Sequence, residues 1–124
     1  MPYVDPREAN NRLIDSLEEI KARNGSPPWR ERMVATERFR MVLLCWPPGH
    51  HHLKHYHPRV DESIFICEGH VRAIFDDDQE IVAGPGSFLF AERGVAHDMI
   101  VIGERPLIMI AVVAPNEPND DIFL

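Results

Sequence analysis

The chain is short of the features that mark several large classes of protein. It has two cysteines in 124 residues, Cys45 and Cys67. They form neither a disulfide framework nor a CxxC pair, so both read as buried free thiols. No apolar run approaches the ~20 residues a membrane span requires. The opening MPYVDPREANN lacks the basic-then-apolar pattern of a signal peptide, and the expected compartment is the cytoplasm. Positive charge is scarce: 13 Lys and Arg stand against 20 Asp and Glu, a net charge of -7. Such a chain carries no basic footprint for nucleic acid or for anionic lipid. Neither an internal repeat nor a low-complexity segment is visible.

What is present describes one soluble globular domain. Hydrophobic residues make up 44% and charged residues 27%. A chain of this length buries roughly two thirds of its unfolded surface, enough for a core without staples. Eleven prolines and seven glycines are spread along it, which favours short strands and turns over a helical bundle.

The first segment reads as a helix. Asp5 caps, Pro6 suits the first helical position and Glu8 completes a capping-box spacing. Leu13, Ile14, Leu17 and Ile20 make one stripe of 3.6-residue period. Asn24-Gly25 and Pro27-Pro28 stop it, so residues 1–28 are expected to be helix and linker, and 29–124 the main domain. From there on short β-like runs dominate, over 39–46, 53–57, 63–67, 71–75, 80–82, 88–90, 99–102 and 107–113. Turn formers separate them, which predicts an all-β sandwich or barrel. Asp76-Asp77-Asp78 reads as a hairpin tip, and 115–124 as a polar strap.

Seven histidines are the oddity, five of them within residues 50–57. His55 and His57 stand two apart on an expected strand, so their side chains share a face. A turn over 58–61 lets Glu62 open the next strand facing the same pocket; an unbroken strand would send it to the other face. His97, far along the chain, follows Arg93-Gly94 at the start of another strand. Three imidazoles and a carboxylate suit a divalent first-row metal and leave positions open on the ion. His50, His51 and His52 are expected in an exposed loop ahead of the barrel. Glu92 is a weak candidate for a general base, against a rim ion pair with Arg93. Asp98 should point away from His97. Trp46, Phe88, Phe90, Met99 and Met109 are candidates to line the pocket or fill the core.

The spacing Gly49-x5-His55-x-His57-x4-Glu62-x6-Gly69, followed by Gly86-x7-Gly94-x2-His97, resembles the two motifs of the cupin superfamily. The resemblance runs from about Phe39 to Val113. It implies a small double-stranded β-helix (jelly-roll) barrel with His55, His57, Glu62 and His97 as the metal ligands. The second motif departs twice, with Glu92 in place of the usual Pro and Val101 in place of the closing Asn. Cupins include dioxygenases, decarboxylases, isomerases, lyases and non-catalytic binders. The expected activity is that of a metal-dependent, dioxygenase-like enzyme on a small organic molecule, with iron, manganese, nickel, cobalt or zinc as the ion. A ligand-binding sensor, or a sugar isomerase, lyase or decarboxylase, is the alternative.

Assembly is expected too. With Glu62 facing the metal, Ile64, Ile66 and Glu68 should point inward, and Phe65 and Cys67 outward. The runs 41–46 and 107–113 are apolar on both faces, more than one narrow helical stripe can cover. A homodimer built face to face on barrel strands follows.

Overall fold

The computed structural model describes residues 15–76 and 78–124. Among these residues one helix, α1 (Leu17–Asn24), precedes ten strands: β1 (Trp29–Ala35), β2 (Arg40–Trp46), β3 (His51–Tyr56), β4 (Asp61–Glu68), β5 (His70–Phe75), β6 (Glu80–Ala83), β7 (Phe88–Ala91), β8 (His97–Ile102), β9 (Leu107–Ala114) and β10 (Ile122–Phe123). They make two five-stranded sheets, ordered β1-β2-β9-β4-β7 and β10-β3-β8-β5-β6. Every pairing is antiparallel. The main core lies between the sheets, where Ile66, Met109 and Leu107 of one meet Val71, Met99 and Val101 of the other.

The strands form where the apolar pattern demands them. β8 alternates in burial, with His97, Met99 and Val101 inward and Asp98, Ile100 and Ile102 half-buried on the other side. β9, central in its sheet, is buried on both faces for most of its length. Inside lies the core; outside, Ile108 packs with Leu43, Cys45 and Ile20 of α1. All eight expected runs are strands. β1 and β10 were not expected: β1 is charged at Arg30, Glu31 and Arg32 and is held as an edge strand by β2 alone, and β10 is two residues long.

Two corrections concern local geometry. The described helix begins at Leu17, because Ser16 is extended (φ -122°, ψ 148°) and caps it by accepting the Glu19 N–H. The extended Ser16 rules out one unbroken helix from Pro6 to Asn24. The start expected around Asp5, Pro6 and Glu8, with Leu13 and Ile14, lies outside the described residues, as does Asp77. Glu68 does not point into the barrel. The register steps from Ile66↔Met109 to Glu68↔Ile108, so Cys67 is an inserted bulge residue. The bulge turns Glu68 outward, where its carboxylate accepts from Lys21 Nζ at 2.8 Å. Among the described residues no helix is long and apolar enough to cross a membrane.

Candidate metal centre

Two neighbouring strands of the second sheet bring the histidines together. His55 of β3 and His97 of β8 are register partners. His57 lies one residue past β3, and its carbonyl accepts the Gly94 N–H at 2.7 Å, which ties the turn before β8 to it. Gly94 has φ +83°, a conformation that costs a residue with a Cβ. The turn after His57 carries the chain across to β4 in the other sheet, and Glu62 opens that strand facing back. All three imidazoles are buried, and each offers a nitrogen within 4.8 Å of those of the other two. Glu62 Oε1 stands 3.4 Å from Nε2 of both His57 and His97.

Hydrogen bonds orient the rings. His55 Nδ1 lies 2.7 Å from the Leu53 carbonyl and His97 Nδ1 3.1 Å from that of Val95. With the proton on Nδ1, each ring turns an unprotonated Nε2 inward, the form a metal requires. Nε2 of His57 and of His97 are buried with no aligned hydrogen bond, their one near polar neighbour being Glu62 Oε1 at 3.4 Å. A buried polar atom left unpaired costs ~1–3 kcal/mol, so a cluster of them needs an explanation, and an ion supplies one. Burial lowers the His55 pKa. Burial also pushes Glu62 up, but His57 and His97 outweigh it and hold the carboxyl at about 2. For His57, burial pulls down while Glu62 and Asp121 pull up by more, so protons compete for this ring on acidification. The donor set of three imidazoles and one carboxylate fits a divalent first-row ion.

A model of the cupin domain matches residues 42–113, more than half of the chain. The chain belongs to the cupin family. Solved structures with the same fold include an uncharacterized double-stranded β-helix protein from Klebsiella pneumoniae, 22% identical with a TM-score of 0.74, covering 91% of this chain and 97% of that one. KdgF from Halomonas sp. is 18% identical at a TM-score of 0.68, covering 73% and 80%. The DMSP lyase DddQ from Ruegeria pomeroyi is 18% identical at 0.68, covering 82% of this chain and 54% of its own. No curated protein matches the chain. At these identities the likeness speaks for the fold alone.

The cupin cavity has a volume of about 400 Å³ and opens between the sheets beside the four site residues. Trp46, Met99 and Met109 line it, as the sequence suggested. Phe88 and Phe90 do not; they are exposed on the outer face of β7. His50 and His52 are not in an exposed loop. Their rings pack against Trp46, with centroids 4.7 and 4.9 Å away, and both line the cavity. His51 alternates outward and meets Asp98, which does point away from His97, at 2.8 Å. His52 and His55 both face inward despite their odd spacing, because the β3–β8 register shifts between them. Glu92 is exposed and is not among the cavity residues; among the described residues it is not ion-paired with Arg93.

The strap over 115–124 was expected, but its contact with the histidines was not. β10 pairs with β3, matching Ile122 with Tyr56 and Phe123 with His55. That pairing carries Asp121 Oδ1 to 2.9 Å from His57 Nδ1, and the Phe123 ring centroid to 5.2 Å from that of His55. Asp120 anchors the strap: its buried carboxylate accepts from the backbone N–H groups of Arg59 and Val60 and from Arg59 Nε. Only the clustering of two acids at the end of a polar tail hinted at this.

Proposed function

We propose that this cupin is a metal-dependent enzyme of dioxygenase type that acts on a small organic molecule held in the barrel cavity, with His55, His57, Glu62 and His97 as the ligands of one ion. One observation carries the reading: nitrogens of three buried imidazoles lie within 4.8 Å of one another, with Glu62 Oε1 3.4 Å from two of them, beside a cavity large enough for a small molecule. When bound, a divalent first-row ion supplies Lewis acidity and, where redox-active, electron transfer to dioxygen. The chain's own residues do the remaining work. The Leu53 and Val95 carbonyls fix two ring orientations, the apolar walls of Ile64, Met99 and Met109 exclude water, and Phe123 covers His55.

A lyase, isomerase or decarboxylase is the second reading. His52 supports it, because burial and the neighbouring His55 hold its pKa at about 4, leaving a neutral base on the cavity wall at physiological pH. One experiment separates the two. Metal is stripped and replaced by iron, manganese, nickel, cobalt or zinc, and oxygen uptake and product are followed on small acids, diketones and phenols. Oxygen consumption with the redox-active ions and none with zinc supports the dioxygenase. Equal turnover with zinc moves the assignment to the second reading, and ligand binding without product with any metal leaves a sensor. His57→Ala should lose most bound metal by elemental analysis while retaining its β circular dichroism.

We further propose a cytoplasmic homodimer. Cys45 and Cys67 are unpaired, as suits a reducing compartment. Among the described residues α1 packs on Leu43, Cys45 and Ile108, with Cys67 and Ile110 at the edge of that cluster. Phe65 lies beside Phe88 and Ile110 on the same outer face, and Phe88 is 79% exposed. A contiguous aromatic patch of that kind favours burial against a second copy.

A further inference from the structure

We infer that Arg30 and Arg40 form an anion-holding end of the cavity, and that the ligand taken there is a small organic carboxylate. The inference deepens the reading of the cavity as a ligand site served by a metal, and rests on it. Both arginines line the cavity. They come from β1 and β2 of the first sheet, where Arg30 pairs in register with Leu44, an inward residue of the same strand face as Arg40. Two of the three histidines come from β3 and β8 of the other sheet. The cations and the imidazoles therefore enter the cavity from different sheets, and a ligand can bridge them.

The two guanidiniums are not explained by the fold. Arg23, Arg59 and Arg72 each sit within 3.0 Å of a carboxylate. Among the described residues neither Arg30 nor Arg40 has such a partner. Arg40 donates from Nη1 to Asn116 Oδ1 at 2.9 Å, and Asn116 Nδ2 donates to the Thr36 carbonyl at 2.8 Å. That clamp is neutral: it holds the guanidinium in place and leaves its charge unspent. Burial and the charges of Arg32 and Arg40 all work against Arg30, with Asp121 as the one opposing acid. A guanidinium stays protonated in such surroundings, so the repulsion is retained and not relieved by proton loss.

The charge tally points the same way. The cavity residues include two guanidiniums against the carboxylates of Glu62 and Asp121, and a divalent ion would leave a surplus of two positive charges. Without an ion these four charges cancel, so even in a chain of net charge -7 the cavity carries no net negative charge. With an ion bound, its low-dielectric walls would concentrate anions whatever the charge of the surface around it. The floor is apolar, formed by Ile64, Met99, Met109 and Ala111. A ligand that satisfies both halves has a carboxylate head for the planar guanidinium forks and a short apolar body. Among the described residues no lysine and no glycine line the cavity, so the backbone cradle and point charge that phosphate sites commonly use are not among its described walls.

The test uses the full chain, cobalt-loaded and metal-free, titrated with acetate, butyrate and benzoate. Each is matched by its neutral amide, with phenyl phosphate as a further probe. Binding is read by saturation-transfer NMR and calorimetry. At least one carboxylate should bind ~10-fold or more tightly than its amide, as one charge-assisted contact allows. Arg30→Gln and Arg40→Gln should each erase most of that preference, with folding and metal content unchanged. Arg40→Lys should recover only part, because the fork is lost. The inference is overturned if no carboxylate outbinds its amide, if both glutamine variants keep the preference, or if phenyl phosphate outbinds every carboxylate. A metal-free protein that keeps the preference, in a chain that takes up no cobalt, would sink the metal reading and leave this one standing.

Discussion

Replacing Asp120 by Ala should both weaken the fold and loosen the metal centre. The Asp120 side chain is 2% exposed, and it accepts from the Arg59 N–H at 2.9 Å, the Val60 N–H at 3.1 Å and Arg59 Nε at 2.9 Å. Val60 is itself 1% exposed, so its orphaned N–H finds no water without local opening. One buried amide left unpaired and one charged hydrogen bond lost together cost about 3 kcal/mol. For a domain of this size roughly 4 °C of melting temperature follows each kcal/mol, so the midpoint should fall by about 12 °C. The second effect comes through the chain. Asp120 fixes the segment that carries Asp121 to His57 and Phe123 to His55. Freed, that segment should leave His57 less well oriented and raise the metal dissociation constant ~10-fold or more, as loss of a residue behind a ligand commonly does. Differential scanning fluorimetry of the metal-free protein reads the first effect, and competition with a chromogenic chelator reads the second. Asp121→Asn separates them, since it should alter affinity with little change in the metal-free midpoint. An Asp120→Ala midpoint within 3 °C of wild type would refute the anchoring argument. An unchanged dissociation constant would refute the coupling of strap to metal.

Other expectations are narrower. Glu31 is buried, and although burial raises its carboxyl, bonds from Arg23 and Asn24 hold it at about 2. A depressed folded pKa gives stability that is full above the unfolded value near 4.5 and lost as pH falls towards 2. Denaturant midpoints between pH 6 and 2.5 should therefore drop more steeply in wild type than in Glu31→Gln, and parallel curves would count against the pairing. Gly69→Ala should destabilise by at least ~2 kcal/mol in urea titration. Its Cβ would overlap the Pro106 carbonyl oxygen and come within 2.9 Å of Leu107 Cα, at φ +80°. Phe88→Asp should convert a dimer to a monomer by light scattering at micromolar concentration, with the metal content unchanged; a wild-type monomer would remove the dimer altogether.

Much of the candidate site was legible because convergence on one pocket imposes spacing. On a regular strand two imidazoles that share a face stand an even number of residues apart, and a carboxylate that returns after a turn can break the parity, as His55, His57 and Glu62 do. The strands were legible for a similar reason, since burial on one face or both writes period two or an unbroken apolar run. β1 escaped because three consecutive charged residues hide the alternation, and β10 because two residues carry no period.

What the sequence determined by itself is the set of side chains able to meet: the histidines, the glutamate and the alternating strands that aim them. Tertiary structure alone decided which neighbours they have. A bulge between His52 and His55 lets both face the cavity, and a bulge at Cys67 expels Glu68. An extra residue shifts every later side chain to the opposite face, yet it leaves no mark in composition or spacing. The strap that sets Asp121 beside His57, and the edge strand that brings Arg30 to the cavity, pair residues more than ten positions apart. Such pairings depend on which sheet edges remain open once the core has formed, and the linear pattern does not contain that.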